Sequence, residues 1–248
     1  MVDVQLQLLF ISQWSRYFPG KELPIAYFYT DKVSDDLKAS QEVERCLIAN
    51  LKQVRLGNSF VYDAHTPGCS GGKRYTGFSQ ALRPKFEYFL SCGIPGEMEG
   101  ERYKRDPGLV EQYMGQHPPF EAPGTYLVFK RWDKLGAEEE PLAVIFFASG
   151  DVLSGLFALA NYDVAEPDGV IAPMGAGCGS IIGYPLEQAK REIPRAVLGM
   201  FDVSARPHVG SDELTITITY PRFKELVGYM EESFLITKSW ELVRSRMV

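Results

Sequence analysis

The residues best suited to chemistry in this chain are cysteines set among glycines. The stretch "IAPMGAGCGSIIGYP", Ile171 to Pro185, places Cys178 among Gly175, Gly177, Gly179 and Gly183, between a short apolar run and the start of a helix. Glycines here permit positive φ and let a ligand reach the backbone, while the amides of a helix start point outward as anion donors. A thiol at such a start is shifted toward thiolate, the form that attacks electrophiles or binds metals. Cys178 is therefore a candidate nucleophile, and Gly175, Gly177 and Gly179 are candidate backbone contacts to a ligand. The competing explanation is a tight turn in which cysteine serves as a small hydrophobe. The spacing is not the dinucleotide fingerprint, because no acidic residue ends a following strand about 20 residues on, and no Gly-Lys-Ser/Thr phosphate loop occurs.

Cys69 has a similar setting in "TPGCSGGKR", where Lys73 and Arg74 favour a thiolate or a bound anion and His65 lies four positions earlier. The four cysteines, at 46, 69, 92 and 178, equal the ligand count of an iron–sulfur cluster, yet none forms a C-x₂-C pair. A metal site would rest on the fold. For Cys46 the competing reading is a buried helical thiol, and for Cys92 a loop thiol. "DVSARPHVG" offers Arg206 and His208, and Arg206 has the fork geometry for a carboxylate or phosphate. Surface solvation is the simpler account of that segment. His117 in "GQHPPF" reads as structural, and no Ser-His-Asp order, H-E-x-x-H helix or carboxylate pair is present.

These residues need elements to position them. Leu6, Leu9, Phe10, Gln13, Trp14 and Tyr17 follow helical spacing and predict an amphipathic helix ending before the Pro19-Gly20 turn. "LPIAYFYT" reads as a buried strand. "SQEVERCLIANLKQVRLG" reads as a helix with Ser40 near its amino cap and an apolar stripe of Val43, Leu47, Leu51 and Val54, with Cys46 beside it. "SFVYD" is a short strand, and a helix is expected around Arg83 to Leu90. From Cys92 to Gly124 the prolines and glycines predict a long excursion of loops and short helices that covers part of the molecule. "TYLVFKRW" and "PLAVIFFAS" are strands, and "GDVLSGLFALANY" is a helix with Leu153, Leu156, Phe157 and Ala160 on one face. "GVIAP" is a strand, "LEQAKRE" is helical, "LTITITY" alternates as a strand, and "PRFKELVGYMEESF" and "TKSWELVRSR" close the chain as helices. Pro221 suits the first turn of its helix, where its missing amide proton costs nothing.

With 248 residues, 45% hydrophobic and 23% charged, the chain can bury a sizeable core. A net charge of −6 with no basic block argues against nucleic acid as a partner. No apolar run reaches the ~18 residues of a membrane span, and the amino end lacks a secretory pattern, so the expectation is a cytoplasmic protein with reduced thiols.

The order of elements recurs. "PIAYFYT" answers "PLAVIFF", "GCSGG" answers "GCGSI", and "TYLVFKRWDKL" answers "TITITYPRFKEL". This suggests an internal duplication, with chance matching of short apolar strings as the alternative. The expected fold is α+β or α/β: an amino-terminal helix over 1–22, a first half over 23–136 and a second over 141–248. The two similar αβ halves share a mixed sheet, each with a glycine-cysteine turn facing a common cleft.

The stretch "PMGAGCGSIIGYP", the Cys46-x₂-Ala49 spacing, "PGCSGG" at Pro67 to Gly72 and the tail from Arg206 through "DEL" to "YPRFKEL" together resemble the ArCR family, domain of unknown function 169. The resemblance runs from about Pro24 to Phe234. It implies no established activity. What it does imply is a pattern of cysteines matching Cys46, Cys69 and Cys178, followed by an arginine matching Arg206, while Cys92 lies outside that pattern.

Three functions are compatible with these residues. The first is a binding or redox module holding an iron–sulfur cluster or other metal through Cys46, Cys69 and Cys178, or a small anionic ligand through Gly175, Gly177, Gly179, Lys73 and Arg74. The second is a thiol enzyme with Cys178 as nucleophile and Arg206 orienting an anionic substrate. The third is an assembly protein whose glycine turns only pack.

Overall fold

A computed structural model describes residues 3–34, 37, 41–116 and 120–247; Ser40 and His117 lie outside the described residues. Seven strands form one mixed sheet: β1 (Ile25–Thr30), β2 (Phe60–Asp63), β3 (Tyr126–Arg131), β4 (Ala143–Ala148), β5 (Val170–Ile171), β6 (Ala196–Gly199) and β7 (Leu214–Thr219), in the order β2-β3-β1-β4-β7-β6-β5. All neighbours are antiparallel except β5 and β6. The central strands are apolar on both faces because both faces are covered. Ala26, Phe28, Val144 and Phe146 point into one layer, and Ile25, Tyr27, Ala143 and Ile145 into the other.

The first layer is built from α1 (Val4–Tyr17), α6 (Gly150–Ala160), α8 (Tyr220–Tyr229) and α9 (Lys238–Arg244). Asp3 caps α1 by accepting from Gln5 N–H at 2.8 Å, and Phe10, Trp14 and Tyr17 bury the helix on the sheet. Each such side chain contributes roughly 1.5–3 kcal/mol relative to exposure. Trp14 stacks on Phe18 at 4.3 Å, and the Trp240 indole donates to Tyr17 O at 3.0 Å, which fastens α9 to α1. Two expected core positions instead face water, Leu9 at 45% and Phe157 at 48% exposure; α6 buries Val152, Gly155, Leu156, Leu159 and Ala160.

The second layer carries α2 (Leu47–Arg55), α3 (Ser70–Tyr75), α4 (Phe86–Phe89), α5 (Pro107–Gly115) and a π-helical turn, Gly179–Gly183, leading into α7 (Tyr184–Gln188). α2 begins only at Leu47, with Cys46 as its cap residue in extended conformation rather than on the stripe. Side chains hold the preceding segment out of the helix. Gln41 pairs with both backbone groups of Val61 (2.9 and 2.8 Å), occupying the open edge of β2, and buried Asn50 takes Glu44 N–H at 2.7 Å while donating to Glu44 O and Cys46 O. Val43 is consequently solvent-facing. β6 is a strand that the short run "RAVLG" does not announce.

The fold is therefore α+β with a mixed sheet. The two strings "PIAYFYT" and "PLAVIFF" lie in antiparallel neighbours, but matched residues Ala26 and Ala143 face opposite layers, and α2 and α6 cover opposite faces. A twofold rotation exchanging antiparallel neighbours keeps each helix on its original face. The apolar strings thus recur without a superposable packing, and β5 beside β6 has no counterpart next to β2.

Candidate functional site

Cys46, Cys69 and Cys178 come from three separate segments and open onto one cavity of about 260 Å³ in the second layer. Cys46 is placed by the Asn50 clamp at the start of α2. Cys69 is tied to the same loop, because its N–H donates to Arg45 O at 3.1 Å, and its sulfur accepts Gly72 N–H at 3.2 Å. Cys178 enters from the glycine stretch, where the chain is already helical at Gly177 and passes into the π turn. Wider turns of this kind are frequent at functional sites. Ser180 pins the turn, donating to Gly177 O at 2.8 Å and accepting from Met200 N–H at 3.3 Å.

The glycines around Cys178 serve close packing. None of Gly175, Gly177, Gly179 or Gly183 has positive φ. A Cβ on Gly175 would stand 2.9 Å from the Tyr184 ring, one on Gly177 3.0 Å from Met200 Sδ, and one on Gly179 3.0 Å from the Tyr75 ring. Gly175 and Gly177 line the cavity, and Gly179 lies behind Tyr75. The helix start also has its anion already, since Gly177 N–H donates to Asp202 Oδ2 at 3.1 Å. The other oxygen of Asp202 accepts from Tyr103 Oη at 2.8 Å and from Ser204 N–H and Oγ.

This changes the electrostatics expected of Cys178. The residue is 6% exposed, and its thiol is pushed well above the ordinary range, first by burial and then by the neighbouring Cys69, Cys46 and Asp202. In this environment Cys178 is held as a neutral thiol, not as the activated thiolate that a helix start favours.

The remaining wall comes from the 76–125 excursion. Its ends are drawn together where Ala122 N–H donates to Gly77 O at 3.1 Å, with Gly77 at φ +78°. From it Phe86, Phe89, Leu90 and Tyr113 face the cavity, and Tyr113 Oη donates to Met174 O at 2.8 Å. Burial pushes the hydroxyl pKa of Tyr75 and Tyr113 up, so both are neutral phenols. The charged side chains on the wall are Glu101, Lys104 and Asp202, and Lys104 stands 4.6 Å from the Tyr113 ring.

Other residues singled out from the sequence lie outside the cavity lining. Lys73 donates to Asp63 O and sits 4.3 Å from the Tyr62 ring, and burial lowers its ionisation. Arg74 donates to Gln80 O at 2.8 Å. Arg206 spends its guanidinium on its own loop, bonding Glu213 O, Gly210 O (3.0 Å) and Ser211 O (2.8 Å). Cys92 is exposed in the excursion, and His65 is exposed beside Asp63. Among the described residues, no three His, Cys, Asp or Glu side chains are grouped closely enough to hold one metal ion, and no helix is long and apolar enough to cross a membrane.

Sequence reasoning missed Tyr75, Tyr103, Tyr113 and Asp202. Asp202 reaches Gly177 across 25 positions that include the π turn, α7 and β6, and no local spacing signals such a contact. The aromatic residues of the excursion offered only a hint, in their recurrence among prolines and glycines.

Fold and site thus define an α+β protein with a cysteine-floored, aromatic-walled cavity. The model of the uncharacterised ArCR family, domain of unknown function 169, matches residues 20–228, and the chain belongs to this family. Comparison with curated proteins and with solved structures finds no match.

Proposed function

We propose that the protein binds a small neutral molecule, compact and largely apolar or aromatic, in this cavity, with one end of the ligand against the thiols of Cys46, Cys69 and Cys178. The observation that carries the reading is the convergence of three reduced cysteines and several aromatic side chains on a single space of about 260 Å³. That is near the lower end of small-molecule sites, about 300–1,000 Å³. Packing alone gives no reason for such a space, which sets the assembly reading aside.

The anionic ligand considered from the sequence has few donors here. Gly177 N–H serves Asp202, Lys73 and Arg74 serve backbone carbonyls, and Arg206 serves its loop. Two carboxylates against one ammonium on the wall disfavour an anion further. Saturable stabilisation of the reduced protein by neutral aromatic fragments, read as a rise in melting temperature, supports the reading. Stabilisation by phosphate or sulfate alone contradicts it.

A metal or iron–sulfur centre on the same sulfurs is the second reading, favoured by their shared cavity and by the soft character of thiolate donors. The present spacing does not make them a ligand set. Such a centre needs Cys178 to lose its proton and the three sulfurs to come closer together. Metal analysis and visible absorption of anaerobically purified protein separate the two readings: stoichiometric metal, lost on replacing any of the three cysteines by serine, favours the centre.

A further inference from the structure

Tyr62 lies on β2 behind the cysteines, 1% exposed, and its hydroxyl has no hydrogen-bond partner among the described residues. A buried hydroxyl without a partner is destabilising, and phenylalanine fills the same space without that cost. The surroundings are nevertheless shaped to keep it. A Cβ on Gly68 would stand 2.3 Å from the hydroxyl oxygen, closer than atoms tolerate, and φ at Gly68 is not positive, so glycine is needed there for room. A Cβ on Gly72 would stand 3.2 Å from the same oxygen and 3.4 Å from Cys69 Sγ. The hydroxyl and the sulfur therefore both border the space where a side chain of Gly72, in the cavity wall, would begin.

The three cavity cysteines are not equivalent. Cys178 is buried and held as the neutral thiol. Cys46 and Cys69 are both half-buried, but the Cys69 sulfur already accepts an amide hydrogen bond, and an unpartnered hydroxyl borders the same Gly72 position as that sulfur. Hydrogen bonds to a charged acceptor are roughly twice as strong as neutral ones. An idle donor of this kind gains its partner when charge develops on the sulfur.

We infer that Cys69 is the nucleophilic thiol of the cavity and that Tyr62 is its positioning residue, donating to the sulfur as it becomes negative. The ligand class this implies is a compact neutral electrophile. That class rests on the reading of the cavity as a ligand site, whereas the order of reactivity among the cysteines does not.

The test uses the full chain carrying Cys92→Ser, which removes the exposed thiol outside the cavity. Iodoacetamide is the probe: the sulfur's electron pair forms the S–C bond, the C–I bond breaks, iodide leaves with its pair, and the thiol proton passes to buffer. Peptide mass spectrometry follows each site over time at neutral pH. Cys69 is expected to label at least about tenfold faster than Cys46 and Cys178, a gap of roughly 1.4 kcal/mol in barrier. Cys46 or Cys178 labelling first overturns the inference, and this comparison needs no change at Tyr62. Tyr62→Phe then tests the positioning role, since loss of the donor slows Cys69 alone, while a loosened wall speeds all three sites. Acceleration throughout, or an unchanged Cys69, overturns that role. Indole added as a neutral occupant should slow Cys69. If it does not, while Cys69 still labels first, the ligand reading falls and the thiol assignment stands.

Discussion

Gly177 N–H and the Asp202 carboxylate meet at 3.1 Å, so the helical start beside Cys178 is closed by a side chain of the protein itself. The same carboxylate holds Tyr103 of the covering excursion at 2.8 Å. One residue thereby links floor and cover of the cavity.

Asp202→Ala should therefore cost about 2 kcal/mol of unfolding free energy, in the range for hydrogen bonds to a charged group. Urea denaturation measures it. The substitution should also make Cys178 more accessible to alkylation, because both Gly177 and Tyr103 lose their anchor. A loss below about 0.5 kcal/mol with no change at Cys178 would mean that the link is dispensable.

The general architecture was legible because it rests on local patterns. Double-sided apolar runs marked β1 and β4, alternation marked "LTITITY", and spacing marked α1. Cys69 and Cys178 could be singled out for the same reason, each in a glycine-rich turn, whereas Cys46 was expected on a helix and joined them through the family resemblance. What decided the character of the site was nonlocal. Asp202, Tyr103 and Tyr113 reach the cavity through contacts across 25 to 101 positions, and with them the wall becomes largely apolar and the Gly177 amide is already engaged. The start of α2 was misplaced for a comparable reason: Asn50 and Gln41 hold residues 41–46 out of the helix, overriding a helical pattern. Glycines that looked conformational proved to be positions of close approach.

In the first layer, Arg222 is buried and joins α8 to the end of α6, bonding both oxygens of Asp163, Glu225 Oε2 at 2.8 Å and Ala160 O at 3.2 Å. The hydrogen bonds from Arg222 hold the Asp163 carboxyl below its ordinary 3.8. A depressed folded value contributes stability above the unfolded value and loses it as pH falls through the folded one. Arg222→Met should cost about 2 kcal/mol at neutral pH. The gap between wild type and variant should narrow as pH falls from about 5 to about 2.5. Denaturant melts across that range check it, and a gap that is constant with pH would place the cost in packing alone.

The Gly68–Tyr62 contact makes a separate prediction about stability. Gly68→Ala should destabilise by about 1–3 kcal/mol, as overpacking does, because its methyl meets the Tyr62 hydroxyl. In a Tyr62→Phe background the same change should cost less, while Tyr62→Phe alone should be neutral or stabilising, since an unpartnered buried hydroxyl is removed. A double-mutant cycle by thermal or urea unfolding gives the coupling. Additive effects would show that the hydroxyl does not fill the space that glycine leaves.

The most direct test of the cavity's function is a calorimetric titration of the reduced protein with indole and, separately, with indole-3-carboxylate. The two probes share a ring system and differ in charge. A neutral-ligand site predicts saturable single-site binding of indole and at least about tenfold weaker binding of the carboxylate, a difference of ~1.4 kcal/mol. Indole that fails to saturate, or a carboxylate that binds as tightly as indole, would contradict the account.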